Sequence, residues 1–180
     1  MINTRHLCFL ATVSLVMLAE NAIAQTHCNE AHGEVTHFSC AITGTKKVAS
    51  LCGGGYGDSE SVQYRFGRVG MPEFVYPTSG KESLKKFEGH YFNKYSYVSY
   101  LFINNKALYE IELSESYPKV LGVIRVEVDN KRHELQCAKA VSRDYWDSLI
   151  ELSPRTFHYT GDGKDSFLYQ YNNVIKKKKG

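Results

Sequence analysis

The sequence predicts an all-β protein, mostly antiparallel: a β-sandwich or barrel of about eight or nine strands with one short C-terminal helix. Three observations carry this. The aromatic residues favour side chains that suit a pleated, half-buried surface, with 13 Tyr and nine Phe against one Trp and three Met. Apolar residues alternate at a period of two through successive short runs. The turns between runs are so short that neighbours must pair antiparallel, since parallel strands need crossovers of roughly a dozen residues.

Composition narrows the class further. The chain has 180 residues, 22 Lys+Arg against 19 Asp+Glu, four prolines and 43% hydrophobic residues, which excludes collagenous and disordered sequences. A net charge of +3, evenly spread until the last five residues, gives no nucleic-acid footprint. At the N-terminus, Arg5 and His6 precede an apolar run from Leu7 to Ala19, and Ala22-Ile23-Ala24 supplies the small residues of a signal-peptidase site. The run reaches about 20 Å, short of the ~30 Å hydrocarbon core, so it reads as a cleaved signal rather than an anchor. The expected organisation is 1–24 signal peptide, 25–152 a disulfide-tied β domain, and 153–180 a C-terminal extension with a Lys-rich tail. Such a chain is periplasmic or secreted, and a monomer.

The first strand expected is Val35 to Ile42, with Phe38, Cys40 and Ile42 on one face and His37, Ser39 and Ala41 on the other. Gly44 turns it into Lys46 to Cys52. Gly53-Gly54-Gly55-Tyr56-Gly57-Asp58 is too permissive for regular structure and reads as a loop. Val62 to Phe66 alternates again, Glu73 to Tyr76 ends at Pro77, and His90 to Phe92 follows. Tyr97 to Ile103 is apolar or aromatic on both faces, as a central strand covered on two sides would be; the alternative is an exposed tyrosine face between Tyr95 and Tyr100. Ala107 to Leu113, Val120 to Val128 and Lys131 to Ala138 complete the strands, with turns at Asn104-Asn105 and Asp129-Asn130. Ser142 to Leu152 is the one helical segment, Ser142 serving as cap and Tyr145, Trp146, Leu149, Ile150 and Leu152 forming the apolar face. Phe167 to Tyr171 reads as a last edge strand and Lys176 to Lys179 as a solvated tail.

Cys8 leaves with the signal, so Cys28, Cys40, Cys52 and Cys137 form two disulfides in an oxidising compartment. In a hairpin turning at Gly44 and Thr45, Cys40 faces about residue 49, three residues out of register with Cys52. That is roughly 10 Å along a strand, beyond the ~7 Å limit between bridged Cα atoms. Cys28 therefore pairs with Cys40 or Cys52, and Cys137 with the other.

Catalytic chemistry is not written in the sequence. The glycine run lacks the Gly-Lys-Ser/Thr of a phosphate loop, Ser83-x-x-Lys86 is a chance-level match, and neither Gly-x-Ser-x-Gly nor His-Glu-x-x-His occurs. His27, His32 and His37 recur every five residues, which puts them on alternating sides of a strand and spoils a single metal site. A start at Gln25-Thr26-His27 would suit copper(II) only if the glutamine did not cyclise. The expectation is no enzyme, no cofactor and no metal.

Phe38-Ser39-Cys40, Ser50-Leu51-Cys52, Tyr64-Arg65-Phe66-Gly67, His90-Tyr91-Phe92 and Leu135-Gln136-Cys137 together resemble a group of small, mostly uncharacterised exported proteins of Gram-negative bacteria. The design is also similar to the periplasmic lysozyme inhibitors, small disulfide-tied β proteins that plug a muramidase cleft with a loop carrying Ser-Gly-x-x-Tyr. Here Ser79-Gly80-Lys81-Glu82-Ser83 has Ser in place of the Tyr. The resemblance implies a protein-binding module that inhibits, or confers immunity to, a cell-wall hydrolase such as a lysozyme or a rival's toxin. The alternative is a peptidoglycan- or glycan-binding module using exposed tyrosines.

Contact is expected on two loops, Gly53 to Ser61 and Pro77 to Lys86. Tyr56 is the aromatic anchor of the first. Ser79, Gly80 and Lys81 form the tip of the second, with Lys85 and Lys86 adding positive charge that acidic groups in a hydrolase cleft attract. Within Tyr64-Arg65-Phe66-Gly67, the two aromatics go inward, Arg65 goes outward or meets a carboxylate, and Gly67 permits a bulge.

Overall fold

A computed structural model describes residues 25–54, 61–79, 83–92 and 97–152. Residues 1–24, expected as a signal peptide, residues 153–180, expected as a C-terminal extension, and Tyr56, Gly80 and Lys81 lie outside them.

Among the described residues there are nine strands and one α-helix: β1 (Glu34–Ala41), β2 (Lys47–Gly54), β3 (Val62–Arg68), β4 (Met71–Tyr76), β5 (Glu88–Phe92), β6 (Tyr97–Asn104), β7 (Ala107–Ser116), β8 (Lys119–Val128), β9 (Lys131–Gln136) and α1 (Arg143–Leu152). Two short 3-10 turns occupy Glu30–His32 and Ser83–Lys86. The strands form a four-stranded sheet, β1-β2-β3-β4, and a five-stranded sheet, β5-β6-β7-β8-β9, every pairing antiparallel. Of the two architectures expected, the chain adopts a sandwich; the sheets do not close into a barrel.

The alternation in the sequence explains the core. β1 sends Phe38 and Cys40 inward, β3 sends Val62 and Tyr64, and β6 sends Val98, Tyr100 and Phe102. Phe102 sits at the centre of an aromatic group, stacked on Tyr76 of β4 and Tyr109 of β7 at 4.6 Å each and edge-on to Phe87 at 5.4 Å. Parallel-offset and edge contacts of this kind are worth roughly 0.5–1.5 kcal/mol beyond the area they bury. β6 is buried on both faces, for its outward Ser99 and Leu101 are also covered. The helix presses Trp146, Leu149 and Leu152 into the same core, and the Ser142 hydroxyl caps it by accepting the Asp144 N–H at 3.2 Å.

Cys40 lies opposite Ala49 in the β1–β2 ladder, as the hairpin arithmetic required. Cys28 is bonded to Cys52 and Cys40 to Cys137, with Cα atoms 5.2 and 5.5 Å apart. The second bridge joins the sheets where residues 41–43 of the first hairpin pair with the chain leaving β9. Two disulfides fit an oxidising, extracytoplasmic environment.

Two local expectations are corrected. Gly53 and Gly54 belong to β2 rather than to the loop. A Cβ on Gly53 would lie 2.6 Å from His37 Nε2 and 2.8 Å from the Ser61 carbonyl, so the glycine serves a close approach inside the ladder. The β6–β7 turn falls on Asn105-Lys106, one residue later than expected, because Asn104 pairs with Ala107. Both turn residues have positive φ (46° and 69°), as do Asp129 and Asn130 at the β8–β9 turn (51° and 62°). A two-residue hairpin turn of this hand matches the twist of its strands.

Candidate functional site

The two loops selected from sequence spring from one end of the four-stranded sheet, and their roots are bonded together. Gly54 closes the first loop at its base by donating its N–H to the Ser61 carbonyl at 3.1 Å. The second loop leaves β4 through Pro77 and returns in the turn Ser83–Lys86. Ser83 is fully buried; its hydroxyl accepts the Val62 N–H at 2.6 Å and donates to the Val62 carbonyl at 2.7 Å. One residue on, Gln63 Nε2 donates to the Pro77 carbonyl at 2.9 Å. Leu84 and Phe87 anchor the returning segment in the core, while Lys85 and Lys86 stay exposed. Ser79 is exposed on a bend at the same end.

The roots of both loops are thus fixed by hydrogen bonds. Sequence reasoning chose the loops for their glycines and Ser-Gly pair, but missed Ser83 and Gln63 as the residues that join them. Ser83 entered as half of a catalytic-looking Ser-x-x-Lys and as the serine standing where the inhibitor loop has Tyr. Its hydroxyl is committed to backbone, which gives a structural reason for a serine there.

The outer face of this sheet is covered by the strap Gln25 to Cys28. The Ser39 hydroxyl donates to the Gln25 carbonyl at 2.8 Å, the His27 N–H donates to the Ser50 hydroxyl at 3.0 Å, and Cys28 is tied to Cys52. Arg65 does meet a carboxylate: its two terminal nitrogens grip Glu34 at 2.8 and 2.6 Å, and one also donates to the His27 carbonyl at 2.9 Å. Hydrogen bonds from Arg65, helped by the Asn29 N–H at 2.6 Å, hold the Glu34 carboxyl below the usual carboxylate range although burial pushes it up.

The three N-terminal histidines go to different places. His27 Nε2 reaches the carbonyls of Val48 and Gly67 at 3.1 and 3.2 Å, His32 Nδ1 lies 2.8 Å from Asn29 Oδ1, and His37 Nδ1 lies 2.8 Å from the Ser148 hydroxyl on α1. The tyrosines separate as well. Tyr100 is wholly buried, which removes it from any exposed face, whereas Tyr91 and Tyr117 are the exposed tyrosines among the described residues. Burial raises the phenols of Tyr64, Tyr76 and Tyr109 above their ordinary range.

The outer face of the other sheet carries polar groups that the sequence reading missed. Glu88, only 1% exposed, lies 2.5 Å from His90 Nε2, the two being neighbours on one face of β5. Arg125 on β8 joins Glu112 at 2.6 Å and Glu134 at 2.9 Å, so one cation ties β7, β8 and β9. Glu112 above all holds the Arg125 guanidinium in its charged form. A Glu-x-His spacing was the visible signal for the first group; the second needed the strand register.

Comparison with protein-family models, curated proteins and solved structures returns no match.

Proposed function

We propose that this is an exported, periplasmic protein-binding module that presents the loop pair 55–61 and 77–86 to a cell-wall hydrolase, as its inhibitor or immunity protein. The observation that carries the reading is the clasp of Ser83 on Val62. It ties the returning end of the second loop to the residue that follows the first, on a scaffold held by two disulfides. Binding residues are disproportionately found on loops positioned by rigid scaffolds. The exposed Lys85 and Lys86 beside Ser79 give that end positive charge suited to a cleft lined with carboxylates. The resemblance of the chain's design to lysozyme inhibitors supports the same partner class. Capture from periplasmic extract, with muramidase and amidase assays run with and without the protein, tests the proposal. Inhibition at micromolar concentration is expected; neither partner nor inhibition would sink it.

The glycan reading keeps one specific support: Tyr117, 91% exposed in the β7–β8 turn, offers an open ring for stacking on a sugar. Sedimentation with purified sacculi, lost on Tyr117→Ala, would favour it instead.

A further inference from the structure

The opposite end of the four-stranded sheet, about 23 Å away along β2, has a different chemistry. Its rim is formed by residues 42–46, which join β1 to β2, and by the β3–β4 turn at Val69-Gly70. In the ladder Lys47 stands opposite Arg68, and Arg68 opposite Met71. Like charges placed directly across strands repel. Glu73 relieves Lys47 through an ion pair at 2.6 Å, but Lys46 and Arg68 have no ion-pair partner among the described residues. Next to Arg68 the β3–β4 hairpin tip holds two apolar side chains in water, Val69 at 47% and Met71 at 69% exposure, with Pro72 exposed beside them.

We infer that this end docks reversibly on an anionic lipid surface, with Val69 and Met71 entering the interfacial layer and Lys46 and Arg68 facing the headgroup phosphates. Surface binding of this kind draws on apolar area and cations exposed at the same end of the fold, and strengthens with both. A free anion would use the cations alone and leave Val69 and Met71 unexplained. A folded acidic protein would need a broad complementary patch of roughly 800 Å² per partner. A convex tip of two apolar residues suits a fluid layer better than such a patch. Two cations and two small apolar contacts make a weak and reversible dock. It leaves the loop end facing away from the membrane, and it holds whether or not the loop reading does.

Vesicle co-sedimentation of the exported chain tests this, using phosphatidylcholine alone or with about one third phosphatidylglycerol. Binding is expected only to the anionic vesicles, falling as salt rises. Each cation removed should weaken the partition about fivefold, so Lys46→Gln with Arg68→Gln should weaken it about twentyfivefold. Val69→Ser with Met71→Ser should weaken it at every salt concentration, and Lys119→Gln, at the start of β8, should have a smaller effect than either tip cation. The substituted side chains are exposed, and melting curves verify that each variant folds. The series is repeated in a chain whose Lys176 to Lys179 are replaced by Gln, and the tip dependence is expected to persist there. Equal binding to neutral vesicles, no binding at all, or binding that follows the lysine tail and ignores the tip would overturn the inference.

Discussion

The Ser83 hydroxyl holds both backbone groups of Val62, accepting the N–H at 2.6 Å and donating to the carbonyl at 2.7 Å. A buried side chain that satisfies a strand's first residue in this way fixes where β3 starts and where the preceding loop must return. Ser83→Ala leaves a buried donor and acceptor without their partner and should cost about 1–3 kcal/mol. Urea unfolding measures that cost. Hydrogen exchange should show faster opening at Ser61 to Gln63 with little change in β7 and β8.

The two disulfides should contribute unequally. Cys40–Cys137 closes a sequence separation of 97 and Cys28–Cys52 one of 24. On the loop-entropy account the longer closure stabilises by about 1 kcal/mol more. Paired Cys→Ser replacement followed by chemical denaturation should therefore rank Cys40/Cys137 as the costlier loss.

Two glycines provide an internal comparison. Gly44 and Gly67 both have positive φ, at +71° and +148°, but a Cβ on Gly44 meets open space whereas one on Gly67 would lie 2.5 Å from the Glu73 nitrogen and 2.8 Å from the Met71 carbonyl. Gly44→Ala should cost about 1–2 kcal/mol from backbone strain alone. Gly67→Ala adds a clash with backbone that cannot swing aside and should cost clearly more. Melting temperatures of the two variants, measured side by side, decide this.

Stability should also depend on pH through Glu34. Its folded carboxyl titrates below the unfolded value of about 4.3, so its contribution is present above that value and lost as pH falls through the folded pKa. Glu34→Gln should lower stability at neutral pH and flatten the acid limb of the stability curve below about pH 4. Urea midpoints across that range provide the measurement. An unchanged acid limb would assign the acid sensitivity to other carboxylates.

Much of the fold was legible because a period of two survives in the sequence wherever one sheet face is buried. Phe38 and Cys40, and Tyr64 and Phe66, each announced one apolar face of a strand, while Tyr97 to Ile103, apolar or aromatic on both faces, announced a strand covered on two sides. Counting residues around Gly44 was enough to place Cys40 opposite Ala49 and reject a Cys40–Cys52 bridge. The strap Gln25 to Cys28 was not legible, since it is held by hydroxyl and backbone bonds that leave no hydrophobic period. Nor was the Arg125 group, whose partners sit 13 and 9 residues away and meet it only through strand register. Gly53 was misread because a glycine that admits a neighbouring histidine looks, in sequence, like one that loosens a loop. The candidate site was half legible: turn chemistry marked both loops, while the clasp joining them depends on a serine whose environment only the packed sheet defines.

The loop surface itself is tested most directly by titrating a muramidase or other captured hydrolase into three forms of the protein: unmodified, Tyr56→Ala, and Ser79→Ala/Lys81→Ala. Each variant should bind at least 1 kcal/mol more weakly, about fivefold or more in Kd, with melting temperature unchanged, as for anchors on a presented surface. Unchanged affinity after both loops are altered together would contradict the account and place the interface elsewhere, with Tyr117 the first residue to test.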